Sequence, residues 1–111
     1  MNVYDTANKL AGEIKNSEEY VNFKMARQAI NLNTSLKEKM KEFDKVRYET
    51  QITAMQTGKR DEESYKKMQD LYAELIEDDT AKKYFDAETK FNILIADVNR
   101  IIGEAIKDVM E

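Results

Sequence analysis

From Ala81 to Met110, apolar side chains recur at Tyr84, Ala87, Phe91, Leu94, Val98, Ile101 and Ala105. The steps alternate three and four, the period of a helix that buries one seam. A second row, Ile95, Ile102 and Val109, widens the seam to a stripe, while Ile93 and Ile106 fall outside both rows. No Pro interrupts the run. As one helix it is about 45 Å long, at ~1.5 Å per residue. That is longer than a compact domain of this size needs, and the apolar surface is wider than one neighbouring helix covers. The pattern predicts a helix that serves both as core of the protomer and as a contact surface for a second chain.

The preceding residues divide into four shorter helices. The first spans Val3 to Lys15, with Val3, Ala7, Leu10 and Ile14 on one face and Asn2 as N-cap. Ser17 caps the second, which runs to Asn31 with Glu18 and Glu19 in the first turn, where the helix dipole favours negative charge. Its apolar side is Tyr20, Phe23, Ala26, Ala29 and Ile30. The break Asn31-Leu32-Asn33 leads to a third helix, from about Ser35 to Gln56, on Leu36, Met40, Phe43, Val46 and Thr50. Gly58 supplies a left-handed stop. Asp61 caps a fourth helix, Glu62 to Glu77, with Tyr65, Met68, Tyr72, Leu75 and Ile76 as its buried side. Asp78 is the expected N-cap of the final helix.

These elements predict one all-α domain over residues 1–111, an elongated bundle of about five helices with a long C-terminal helix. Helices three and four form an antiparallel hairpin about Gly58. The short N-terminal helices cover part of it, and the final helix packs along it. Too few elements remain to wrap that helix. A symmetric homodimer, or a larger homo-oligomer, that buries Phe91, Leu94, Ile95, Val98 and Ile102 removes the exposure. The alternative is cover from within the protomer.

Composition narrows the chemistry. The chain has no Cys and no His, which removes thiolate clusters and zinc sites, Ser-His-Asp and Cys-His nucleophiles and Glu-x-x-His di-iron bundles. Three scattered glycines build no phosphate cradle, and no cofactor is expected. The many acids sit beside Lys on faces expected to be solvated, so a carboxylate enzyme using a hard metal such as Mg²⁺ is a minor reading. No apolar window is long enough to span a membrane and no secretory signal is visible, so a cytoplasmic location is expected.

Three features carry sharper alternatives. Asp97, Asn99 and Arg100 interrupt the final helix; they point outward between buried rows, or they fix the register of two long helices. Met25, Met40, Met55 and Met68 are core filler, or they line an adaptable groove. The basic pairs Lys59-Arg60, Lys66-Lys67 and Lys82-Lys83 belong to a plain charged surface, or contact phosphates. The net charge of −4 gives no overall sign of a nucleic-acid binder.

NVYDTANKLAGEIKNSEEY at the start, Ala26, Ala29 and Ile30 in the middle, and KYFDAETKFNILIADVNRII near the end resemble the YheA/YmcA/YlbF family of small bacterial helical proteins, nearest its short YheA-like branch. The resemblance implies a cytoplasmic, all-helical, self-associating protein. Other branches are non-enzymatic accessory factors in complexes that influence mRNA decay, competence, sporulation and biofilm formation. Some of those relatives hold iron–sulfur clusters through cysteines, which this chain lacks. The resemblance supplies no catalytic residue. The expected function is an adaptor or regulatory accessory subunit for another, unidentified cytoplasmic protein. The second reading is an RNA-associated factor, with Lys59, Arg60, Lys66 and Lys67 as its phosphate contacts.

Overall fold

A computed structural model describes residues 2–110. Five helices fill that span: α1 (Val3–Lys15), α2 (Glu18–Asn31), α3 (Thr34–Thr57), α4 (Glu62–Leu75) and α5 (Asp79–Met110). Each start is set by a local cap. The side chains of Asn2, Ser17, Asn33 and Asp61 accept from backbone N–H groups in the first turns of α1 to α4. Asp78 Oδ1 accepts from the N–H groups of Thr80 and Ala81 at the head of α5. These bonds satisfy donors that a helix leaves unpaired. Gly58 ends α3 at φ 71°, and its N–H donates to the Ala54 carbonyl. A side chain is strained in that left-handed conformation.

α3 and α4 pair about Gly58 as the sequence predicts. Lys39 Nζ meets Glu74 Oε1 at 3.2 Å, and Phe43 packs on Tyr72. The long helix differs from expectation. Its extended partner is α2, antiparallel to it, and only its first turns reach the hairpin. The reason lies in Tyr84 and Phe85, neighbours on different faces of α5. Tyr84 meets Phe23 of α2 at 5.3 Å, while Phe85 meets Phe43 of α3 and Tyr72 of α4 at 5.3 and 4.8 Å. One helix start therefore joins the two helix pairs, and its remainder follows α2 away from the hairpin.

The core is Ile30, Leu36, Met40, Phe43, Leu75, Ala81, Tyr84 and Phe85. Among the described residues, none before Ile30 and none after Phe85 is buried. α1 has an apolar face but no buried residue, and Val3 and Tyr4 are 80% and 78% exposed. Residues 99–110 of α5 are all exposed. The shape follows: 48 × 37 × 17 Å, with a radius of gyration of 17.5 Å. A compact chain of this length has a radius near 13 Å.

α5 runs unbroken through Gly103, where an added Cβ meets nothing within 4 Å. Gly in an exposed helix interior costs up to ~1 kcal/mol relative to Ala. Gly103→Ala therefore raises the unfolding free energy by up to about that amount, read as a higher urea midpoint. A loss instead would mean that another chain's backbone lies against Gly103.

Candidate functional site

A polar cluster lies where α2, α3 and α5 meet. Arg47 bridges Asp44 Oδ1 at 3.0 Å and Glu88 Oε1 at 3.2 Å. Arg27 donates to the Tyr84 hydroxyl at 3.2 Å and lies 3.9 Å from Asp44. The guanidinium groups of Arg27 and Arg47 also lie over the rings of Tyr84 and Phe43, both at 5.2 Å. Partial burial raises both Asp44 and Tyr84 above their ordinary values; Arg47 and Arg27 oppose the shift at Asp44, and Arg27 opposes it at Tyr84. Every carboxylate in the cluster faces an arginine, and no side chain stands free as a nucleophile or base. The cluster pins three helices together. Among the described residues, no group of three or more acids converges to hold a metal ion.

A raised Asp44 means that the folded chain holds that proton more tightly than the unfolded one. Its contribution to stability is full below the unfolded value, 3.8, and is lost as pH rises through the folded value. Relative to Asp44→Asn, the unaltered chain thus loses stability as pH climbs from about 4 toward 7. Paired urea midpoints across that range check the slope. The opposite slope means that the arginines outweigh burial.

The predicted contact row begins covered and ends open. Phe91 packs within the protomer, 6.0 Å from Tyr20 and 5.5 Å from Phe23. Leu94, Ile95 and Val98 are half-buried, and Ile102 is 49% exposed. Ile101, Ile106 and Val109 continue the open apolar surface, as does Ile93 on another side. Asp97, Asn99 and Arg100 point to solvent, with Arg100 paired to Asp97 at 3.8 Å.

The methionines divide. Met40 is buried and Met68 packs on the core, as filler; Met25 and Met55 are exposed. Met25 borders an open groove of about 830 Å³ between α2 and α5, with Ala26, Ala29 and Ala87 among its lining and Lys90 and Ile93 toward one end. Lys59, Arg60, Lys66 and Lys67 are all exposed around the start of α4. Arg60 is already engaged, paired to Glu62 at 3.3 Å and stacked 3.8 Å over Tyr65. Arg27, Asp44, Arg47 and Glu88 are absent from the residues that sequence reasoning singles out. The available signal was Arg at positions 27 and 47 in a chain whose cations are mostly Lys.

The described chain is all-helical and elongated, with a small central core and with no buried residue in α1 or in residues 99–110 of α5. The family model described as "Control of competence regulator ComK, YlbF/YmcA" matches residues 3–107, and the chain belongs to that family. A UPF0342 protein of Clostridium novyi is 32% identical over 108 residues, covering 97% of this chain and 95% of its own. The fold is that of a DUF964 protein of unknown function from Bacillus stearothermophilus (TM-score 0.83, 15% identity, 98% and 96% of the two chains). It is also that of yheA from Bacillus subtilis (TM-score 0.73, 21% identity, 98% and 99%). A chain of the crystal structure of Bacillus subtilis RicA in complex with RicF is more distant (TM-score 0.63, 20% identity, 98% and 96%). Among the described residues, no helix is long and apolar enough to cross a membrane.

Proposed function

We propose that the protein is a non-enzymatic homodimer that acts in the cytoplasm as an adaptor or regulatory subunit for another protein. The observation that carries this reading is excess surface. The chain exposes 8732 Å², whereas a compact monomer of its 13.0 kDa exposes about 6,300 Å². The excess of roughly 2,400 Å² is more than the ~800 Å² that each partner of a standard interface buries. α1 and α5 beyond Val98 contribute to it, since neither has a buried residue. Phe91, Leu94, Ile95 and Val98 lead from the protomer into that surface, and Ile102 lies in its open part. The RicA–RicF complex supports protein partners for this family. The exposed Met25 and Met55 are the adaptable side chains a second protein would use.

Affinity capture from the native cytosol tests the accessory role. The expected result is a reproducible protein partner, held by the unaltered chain and lost on Met25→Lys or Met55→Lys at equal folding. Recovery of RNA instead, released by salt and by loss of Lys59, Arg60, Lys66 and Lys67, would overturn the protein-partner reading.

A further inference from the structure

α1 is held in its own chain by its caps and by partial cover, without a buried residue. It has 13 residues, a length at which an isolated helix is marginal in water. Its apolar face, Val3, Ala7, Leu10 and Ile14, includes no buried residue, and α1 shares only a narrow contact with α2. Its direction is fixed by the corner alone. The Ser17 hydroxyl donates to the Ile14 carbonyl at 2.6 Å and accepts from the Tyr20 N–H at 3.1 Å. The distal half of α5 has the complementary deficit. Its stripe continues past Phe91, half-buried at Val98 and exposed at Ile102, Ile106 and Val109. Both arms leave the core at one end of the molecule, where Tyr20 of α2 sits on Phe91 of α5.

We infer that α1 of one protomer packs on the distal α5 stripe of a second copy, which returns its own α1 in the same way. This rests on the self-association proposed above and specifies how it is built. Size favours two helices per side. A standard interface takes about 20–30 residues from each partner. The stripe of α5 supplies about ten from Phe91 onward, and α1 provides a second apolar face. The exchange is self-complementary, so two copies close on each other and leave no unsatisfied arm for a third. Charge permits it. α1 carries Asp5 and Glu13 with Lys9 and Lys15, and the distal α5 alternates Asp97, Arg100, Glu104 and Lys107, so no block of one sign faces another. Within a protomer, neither α1 nor residues 99–110 of α5 have a buried residue; across a dimer, both faces become covered together.

The absence of cysteine in the chain makes the test direct. Leu10→Cys and Ile102→Cys are prepared separately, unfolded, mixed, refolded together and oxidised. The expected product is a mixed disulfide between the two variants, identified by peptide mapping, since each protein carries only one of the two thiols. Val98→Cys and Ile106→Cys in place of Ile102→Cys allow for a helical turn of register. A second measurement uses Leu10→Lys, expected to raise the dimer dissociation constant at least tenfold while the α2–α5 aromatic packing stays intact. If Ile102→Cys links only to itself and Leu10→Lys leaves the dimer unchanged, the exchange is overturned and the dimer stands on α5 alone. A double variant that closes only a disulfide within one chain also overturns it. An unaltered chain that is monomeric would instead sink the self-association reading itself.

Discussion

Ile102→Asp is expected to turn the proposed dimer into a folded monomer. Residue 102 lies in the stretch where every side chain is exposed, so the protomer's own core loses nothing. In the dimer, the substitution places an unpaired carboxylate in an apolar seam. Leaving one charge buried without a partner costs about 3–5 kcal/mol. The symmetric dimer carries the change twice, so at ~1.4 kcal/mol per tenfold the dissociation constant rises by about ten-thousandfold or more. Sedimentation velocity reads the mass, and far-ultraviolet circular dichroism reads the helices. The exchange of arms adds a second signature, because an α1 without its cover frays and the monomer loses some helical signal. Leu94→Asp also breaks the dimer, but less cleanly. Leu94 is half-buried one turn beyond Phe91, so a charge there strains the protomer as well. An unchanged dimer in Ile102→Asp would place the interface elsewhere.

Phe85→Ala is expected to abolish most of the protomer's stability. The ring is 6% exposed and touches Phe43, Tyr72 and Tyr84, thereby joining α5 to α3 and α4. Truncation of a buried Phe costs about 3–5 kcal/mol, out of a total of 5–15 kcal/mol in ordinary domains. A core of so few buried residues puts this chain toward the low end. Urea titration followed by circular dichroism should show a midpoint near zero denaturant, or no folded baseline. A loss under about 1 kcal/mol would mean that the two helix pairs are held together by something other than this aromatic contact.

The five helices were legible because their punctuation is local. Asn2, Ser17, Asn33, Asp61 and Asp78 each cap the helix they immediately precede, and Gly58 stops α3, so no knowledge of distant residues was needed. Pairing was less legible. The stripe on α5 says that the helix must be covered, but not by which neighbour, and its antiparallel run along α2 became visible only through Phe23, Tyr84 and Phe91. The apolar face of α1 was read correctly as a pattern, while the structure buries none of it fully, leaving Val3 exposed and Leu10 and Ile14 half-buried. Hydrophobic period reports what a residue is built to bury against, inside the chain or outside it. The cluster of Arg27, Asp44, Arg47 and Glu88 was illegible because its members are far apart in sequence and lie among Lys and Glu that are solvated. Of the candidate contact row, Phe91 turned out to be engaged with α2, and the open surface extends further along α5 to Val109.

Sedimentation equilibrium of the unaltered chain across the micromolar range tests the central claim most directly. The account predicts a mass of twice the 13.0 kDa of one chain. A single-chain mass throughout that range would contradict it, because α1 and residues 99–110 of α5 would then have no buried residue in the working state.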